Sequence, residues 1–393
     1  MADLGGLVKD LEGCLQRQEC QRAAQLLAIS YRNSTEIFES EAAIESLCQR
    51  TFSGGYAEVM APLLKAKKLV QQQQYVRAYE SQIAGFIPFL EIFRDQTNWL
   101  VPLLQQLTYD TRILAQHADS ELSQKRGVEV TESLENAEQH LKKGFSMTIN
   151  DRASPELSKK PATLYIVNQL FKIYFRLNKI SLCSNIIQAI NKQNFEQFEM
   201  RDQVTYKYYL GRIRMFEDKY NDANECLSFA WQHCHKHHAK NKRMILQYLV
   251  PVKLVLGVLP SPELLREYRL DEYNPIASAI KRGDLLAFNQ SLHLHQAKFI
   301  AQGMYLLMQK LRLLVMRTLL KKVYLIQQKN AKLKLTDFQI ALEFAGASID
   351  MDALECIVAN LIFKRYIKGF ISRKHGLLVL SKSNAFPAIG NAN

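Results

Sequence analysis

The chain has 393 residues, 48% of them hydrophobic and 23% charged, which is enough apolar material for two or three domains. Its few glycines (16) and prolines (10) argue against a β-rich or disordered class. Seven scattered cysteines form no CxxC pair, and lysines and arginines interrupt the densest apolar run, Leu306 to Ile326. We therefore expect an intracellular protein with neither a disulfide framework nor membrane insertion.

The net charge of +13 is distributed unevenly along the chain. Residues 1–150 carry a net charge of −4, residues 151–309 carry +8, and residues 310–393 carry +9. A basic half of this kind is typical of proteins that bind a polyanion. An excess of lysine and arginine can equally keep a scaffold in solution or contact an acidic protein, so charge leaves both interpretations open.

The first 162 residues are predicted to form a helical region followed by a polar connection. Apolar residues recur at helical spacing from Leu4 onward, which predicts helices over residues 1–120. Over residues 121–162 the apolar density falls, and two prolines lie within GFSMTINDRASPELSKKPAT. We predict a polar loop or surface strap there.

Residues 163–330 are predicted to form a succession of helix pairs. Small residues such as Gly211 and Ala223 stand where paired helices would press together, as in tetratricopeptide (TPR) repeats. The match is partial, so we predict an irregular helical solenoid, an architecture that builds concave binding surfaces. A long helix over about residues 304–327 closes the array. One face of that helix is predicted to carry Lys310, Arg317 and Lys321.

The end of the chain changes period and is predicted to form a winged helix over residues 331–383. A helix that begins near Thr336 is followed by a second helix, which Asp350 caps. Two short strands follow, Tyr366 to Ser372 and Leu377 to Leu380, joined by a tight turn. Residues 384–393 are predicted to be a tail. The predicted fold class is therefore all-α, a TPR-like helical-repeat solenoid followed by a C-terminal winged helix.

A cluster of histidines and a cysteine is the most obvious candidate for a metal site. Members spaced four residues apart would share a helical face, as zinc ligands can. No second ligand cluster is close in sequence, and the flanking lysines and arginine would repel a cation. We favour a structural or solvated role and predict no metal or other cofactor. The cluster comprises His233, Cys234, His235, His237 and His238.

Catalytic motifs are absent from the sequence. It contains no glycine-rich nucleotide-binding pattern, no GxSxG and no HExxH. The carboxylates of the helical array have the spacing of ordinary surface partners for lysine and arginine. We therefore predict that the protein is not an enzyme.

The basic residues of the predicted winged helix are the sharper candidates for a binding site. In such a module the second helix can enter a groove of nucleic acid while the wing contacts the backbone. The second helix offers few polar groups for base edges, so we predict sequence-tolerant phosphate binding along one continuous strip. The alternative, a module that only pairs with another winged helix, stays open. The candidates are Lys364, Arg365, Lys368, Arg373 and Lys374.

Helical repeats that run directly into a winged helix resemble the PCI family, named for the proteasome lid, the signalosome and a translation initiation factor. The resemblance covers about residues 160–385. It is most specific over residues 150–183, 205–231, 243–261 and 353–387. There the sequence resembles the branch that contains the PCI subunit of the transcription-coupled messenger-RNA export complex and its signalosome-associated paralogues.

This resemblance implies partners that spacing and composition do not reveal. Members of the branch pair their winged helix with that of a larger PCI scaffold of the germinal-centre-associated nuclear protein type. A small, acidic, disordered protein shared with the proteasome lid lies along the repeats. The two winged helices form a basic platform for RNA or double-stranded DNA, and the assembly docks on nuclear pore components.

Carried over to this chain, the implied platform is the basic set of the winged helix, extended by the helix with Lys310, Arg317 and Lys321. The expected location is the nucleus and the nuclear pore or envelope, with some protein in the cytoplasm. The alternative is a PCI subunit that contacts only proteins, inside an assembly like the proteasome lid or the signalosome.

Overall fold

The computed structural model describes residues 4–29, 37 and 39–389. They fall into two compact units, divided between Tyr206 and Lys207. Each unit consists mainly of helices, and the strands found among the described residues are short and lie near the C-terminus. The predicted all-α class is therefore confirmed.

The first unit is a series of helices in which neighbours along the chain pack against each other. The most extensive contacts join α4 to α5 and α5 to α6, and α5 buries an aromatic stripe of Phe86, Phe89 and Phe93. The helices are α1 (Leu4–Gln16), α2 (Cys20–Leu27), α3 (Glu41–Thr51), α4 (Tyr56–Gln71), α5 (Tyr75–Asp95), α6 (Val101–Arg126), α7 (Glu132–Ile149), α8 (Thr163–Arg176) and α9 (Cys183–Ile190).

The prediction of a polar loop over residues 121–162 is wrong over most of that range. Helix α6 continues to Arg126, and α7 follows within the same range. Asp119 fixes the start of α7, because its carboxylate accepts hydrogen bonds from the backbone N–H groups of Ser133 (2.8 Å) and Leu134 (3.0 Å). The buried stripe of α7 consists largely of small residues, so helical spacing was present although apolar density was low.

A buried carboxyl group in the first unit should make its stability depend on pH. Burial raises the pKa of Asp110 on α6 to about 7, although a hydrogen bond from Gln106 and the charge of Lys67 oppose the shift. Because the folded-state pKa lies above the unfolded one, this carboxyl favours folding most below about pH 4, and its contribution is lost as the pH rises towards 7.

In wild type the free energy of unfolding should fall with rising pH between pH 4 and 7, and we expect Asp110→Asn to reduce that slope by up to about 1.4 kcal/mol per pH unit. Above pH 7 the variant should be more stable than wild type, because it carries no buried carboxylate at position 110. Urea unfolding followed by Trp99 fluorescence, in a Trp231→Phe background, measures this unit. Asp95→Asn, at an exposed carboxylate, is the control. Identical pH profiles for Asp110→Asn and wild type would contradict the prediction.

The second unit continues the helical array and ends in a module with two further helices. Gly211 lets α10 approach α11 closely, because a Cβ atom at this position would lie 2.6 Å from the Leu227 Cγ atom. This is the kind of small-residue contact predicted from the repeat pattern. The helices are α10 (Met200–Phe216), which begins in the first unit, α11 (Tyr220–His233), α12 (Ala239–Val255), α13 (Pro262–Glu267), α14 (Tyr273–Arg282), α15 (Leu285–Leu294), α16 (Gln296–Ala301), α17 (Tyr305–Lys310), α18 (Arg312–Ile326), α19 (Leu335–Phe344) and α20 (Met351–Phe363).

The long helix predicted over residues 304–327 consists of two helices, α17 and α18, with a turn at Leu311 between them. Lys310 is the last residue of α17, whereas Arg317 and Lys321 lie on α18. Arg317 is buried whereas Lys310 and Lys321 are exposed, so the three cations do not share one exposed face as predicted.

The C-terminal module has the predicted order of two helices and a hairpin. Asp350 caps α20 as predicted, with its carboxylate accepting a 2.7 Å hydrogen bond from the Ala353 N–H. The hairpin strands are β2 (Gly369–Ser372) and β3 (Leu377–Leu380), and a strand that was not predicted, β1 (Lys332–Lys334), precedes α19. The antiparallel sheet has the order β1-β3-β2, so β2 lies at an edge.

The predicted tail, residues 384–393, is packed against the module as far as it is described. The Lys368 N–H donates to the Ala385 carbonyl oxygen over 2.9 Å, and the Phe386 ring lies 5.4 Å from that of Tyr324. Residues 390–393 lie outside the described residues. The C-terminal segment is therefore packed on the second unit at least as far as Phe386.

Candidate nucleic-acid interface

Three predicted cations lie together where α20 ends, and we call them the helix-end cluster: Lys364, Arg365 and Lys368. The Lys364 N–H donates a 3.0 Å hydrogen bond to the backbone carbonyl oxygen of Asn360 at the end of α20. Arg365 then adopts a left-handed φ of 56°, which turns the chain towards β2. All three side chains are exposed. Five consecutive positions thus present three cations around one turn.

The other two predicted cations, Arg373 and Lys374, lie in the wing at the far end of β2. The Arg373 guanidinium is 3.3 Å from the carboxylates of both Asp352 and Glu355, near the start of α20. Glu355 and Lys364 are nine residues apart, or about 14 Å along the helix axis. The predicted continuous strip is therefore wrong: the wing is a separate basic site, and acidic residues hold one of its cations.

Arg317 is not a surface residue, contrary to its place in the predicted platform. Its side chain is 7% exposed. The guanidinium donates from Nε to the Tyr366 carbonyl oxygen (2.9 Å) and from Nη2 to the Pro387 carbonyl oxygen (2.5 Å). Arg317 joins α18 to the start of the hairpin and to the C-terminal segment, so we remove it from the candidate site.

Lys310 and Lys364 border one cleft of about 660 Å³, which we call the Asp218 cleft after the acid between them. The Lys310 Nζ donates to Asp218 Oδ1 over 2.5 Å, and the Tyr220 hydroxyl donates to the same oxygen over 2.6 Å. The bond from Lys310, then that from Tyr220, and more weakly the charge of Lys364, hold the pKa of Asp218 below its usual value. Lys321 is exposed on α18 and does not border this cleft.

Sequence reasoning missed the exposed aromatic residues of the module. Phe344 is 93% exposed, Phe363 84% and Phe370 61%. Phe363 immediately precedes the helix-end cluster, and Phe370 lies on the edge strand β2. The signal was available, since Phe363 falls outside the buried stripe of α20 and Phe370 follows Lys368 at the two-residue spacing of one strand face.

The described residues hold no group of three or more His, Cys, Asp or Glu side chains arranged to bind a metal ion. In the histidine cluster, His233 Nδ1 lies 3.0 Å from the Phe229 carbonyl oxygen, and the rings of His235 and His237 lie 5.2 Å apart. Among all the residues that the structure describes, no helix is both long enough and apolar enough to cross a bilayer.

Comparison with known proteins places this geometry in context. Residues 128–272 match the family model for PSMD3-like, N-terminal TPR repeats, and residues 288–382 match the PCI domain. The chain is 41% identical to PCI domain-containing protein 2 of Xenopus laevis, over 88% of each chain. It is 36% identical to enhanced ethylene response protein 5 of Arabidopsis thaliana, over 85% of this chain and 81% of that one. It is 30% identical to the protein CSN12 homolog of Neurospora crassa, over 94% and 90%.

Proposed function

The chain belongs to the PCI domain-containing protein 2 family, and from this membership we propose that it is a non-catalytic scaffold subunit of a nuclear messenger-RNA export complex. The observation that carries the proposal is the helix-end cluster next to exposed aromatic side chains. A cluster of exposed cations can bind phosphate, and exposed phenylalanine rings close to one another can bind protein. One end of the module thus offers surfaces for both.

The nucleic-acid contact in this proposal is to the phosphate backbone. The exposed residues of α20 are Asp352, Ala353, Cys356, Ala359, Asn360 and Phe363. Only the Asn360 amide among these side chains suits a base edge, and it can read one base pair at most, whereas Asp352 would repel a phosphate. Binding therefore falls to cations outside the helix face, and RNA and double-stranded DNA are both suitable partners.

The protein contact in this proposal is a second winged helix, from a larger PCI scaffold of the germinal-centre-associated nuclear protein type. The outer edge of β2 and the rings of Phe363 and Phe370 are the surface that we assign to it. Burying two aromatic side chains in an interface stabilises it by several kcal/mol, on the order of the largest single-residue contributions.

We assign two further contacts on charge and on family membership. Residues 151–309 carry a net charge of +8, which complements the small, acidic, disordered protein shared with the proteasome lid. Docking on nuclear pore components and a nuclear location, with some cytoplasmic protein, follow from the export role that we propose.

A subunit that contacts only proteins, in an assembly like the proteasome lid or the signalosome, is the second candidate. Two observations favour it: Arg373 is already held by Asp352 and Glu355, and Arg317 is buried. Both reduce the number of cations available to phosphate. Nucleic-acid binding by the purified full chain or its complex separates the two candidates.

We expect the double change Phe363→Ser and Phe370→Ser to lower recovery of the larger PCI scaffold at least about tenfold when the tagged chain is purified from nuclei. Both rings are largely in solvent, so the fold should persist, as circular dichroism would verify. Phe344→Ser, an exposed ring on α19, is the matched control. Undiminished recovery of an identified PCI-containing partner would rule out this pairing surface.

A further inference from the structure

The Asp218 cleft combines features of a phosphate-binding site with a carboxylate that already fills it. Lys310 and Lys364 face it from α17 and from the end of α20, and Tyr220 contributes a hydroxyl. Helix α11 begins in the cleft at Tyr220 without a side-chain cap, so its first N–H groups add positive potential, which Asp222 in its first turn partly offsets. Two lysines and a hydroxyl donor around one anion are what a phosphate requires.

Asp218 is held in this position by its backbone. It has a φ of 61°, a left-handed conformation that glycine or asparagine adopts with less strain, where the chain turns from α10 to α11. The turn is closed by a 2.9 Å hydrogen bond from the Lys219 N–H to the Arg214 carbonyl oxygen. The turn fixes the direction of the Cα–Cβ bond, so that rotation about χ1 alone can bring the carboxylate to Lys310 or move it away, without an adjustment of the helices.

We propose that the Asp218 cleft is a phosphate subsite next to the helix-end cluster, and that the Asp218 carboxylate occupies it until a backbone phosphate of nucleic acid displaces it from Lys310. The proposal rests on the nucleic-acid contact of the proposed function and adds a residue that opposes binding. Lys364 belongs both to the cleft and to the cluster, so a strand bound at the cluster passes the mouth of the cleft.

The ion pair between Lys310 and Asp218 is weak enough to be exchanged. Both side chains are about half exposed, and solvent-exposed pairs of this kind are screened by salt. A phosphodiester that enters must overcome the repulsion of Asp218 as well as replace its hydrogen bonds. The acid therefore lowers affinity for every sequence alike, which suits a platform that has to release its cargo.

The test compares Asp218→Asn with wild type in the full chain, using a fluorescein-labelled single-stranded RNA and fluorescence anisotropy over a range of salt concentrations. Asparagine tolerates the left-handed turn and keeps the shape of the side chain. We expect about fivefold tighter binding near 0.1 M salt and a log–log salt slope steeper by about 0.7, the effect of one added phosphate contact on a single strand.

Two controls distinguish a direct contact between phosphate and Lys310 from a change in the overall electrostatic potential. Asp222→Asn makes the same change of charge at another acid of the cleft, and should alter affinity and slope far less. In a Lys310→Gln background, Asp218→Asn should give little gain in RNA affinity, because the Lys310 ammonium group that the substitution would free for phosphate is absent. Equal gains from Asp218→Asn and Asp222→Asn, or no gain from Asp218→Asn, would overturn the proposal.

These outcomes can be told apart from failure of the proposed function itself. If wild type binds RNA and reversal of the helix-end cluster removes that binding, but Asp218→Asn has no effect, only the subsite fails. If RNA binding is absent from wild type and from every variant, both fail.

Discussion

Reversing the helix-end cluster, Lys364, Arg365 and Lys368, to glutamate should remove most of the affinity for nucleic acid. With Lys374 these are the exposed cations of the module that we expect to contact phosphate, so the wild-type log–log salt slope should be about −3 for single strands and about −3.6 for duplex. Three lost contacts should lower affinity about a hundredfold near 0.1 M salt and leave a slope shallower than about −1. Anisotropy titrations with RNA and with duplex DNA measure both quantities.

The variant should fold normally, because all three side chains are exposed. A matched variant with the same change of charge, Lys236, Lys240 and Lys281 to glutamate, uses exposed lysines of the same unit outside the module. Because a second winged helix would supply part of the platform, the titrations belong on the chain alone and on the assembled complex. Equal losses in the two triple variants would attribute binding to net charge, and no loss in the first would favour the protein-only candidate.

Replacing Arg317 by alanine should destabilise the second unit by about 3 kcal/mol or more. The change leaves the carbonyl oxygens of Tyr366 and Pro387 without their buried donor and opens a cavity beside α18. Urea unfolding followed by Trp231 fluorescence, in a Trp99→Phe background, reports on this unit.

Lys321→Ala, four residues along the same helix, is the control and should change stability by less than about 0.5 kcal/mol, because that side chain is exposed. Arg317→Lys should recover only part of the loss, since one ammonium group cannot reproduce the planar fork that meets both carbonyls. An Arg317→Ala variant as stable as Lys321→Ala would show that these two hydrogen bonds contribute little to folding.

The sequence predicted what local pattern and family resemblance determine. The all-α class and the membership of the PCI family are both confirmed. Helix α20 was predicted with its cap, Asp350, because the capping residue and the apolar stripe lie within one short segment. Strand β1 was missed because three residues reading Lys-Leu-Lys carry too little pattern to mark a strand that exists only by pairing with β3.

The candidate site was predicted less well, because charge along a sequence does not reveal which cations are free. Arg317 has the spacing of a surface residue, but its long side chain reaches two carbonyls that lie 49 and 70 residues further along the chain. Asp218 is 92 residues from Lys310, and Arg373 is 21 residues from Asp352. Each pairing is set by tertiary packing, so no local rule could have found it.

The packing of the C-terminal segment affects how deletion variants can be interpreted. The carbonyl oxygens of Ala385 and Pro387 accept hydrogen bonds from Lys368 and Arg317. Ile389 packs directly on Gly257, so that a Cβ atom added to Gly257 would lie 2.8 Å from the Ile389 Cβ atom. A chain shortened by its last ten residues would therefore lose part of the scaffold that supports the hairpin, and not a dispensable extension. Loss of any activity in such a truncation would report on misfolding, so the roles of the wing and the edge strand have to be separated by point substitutions.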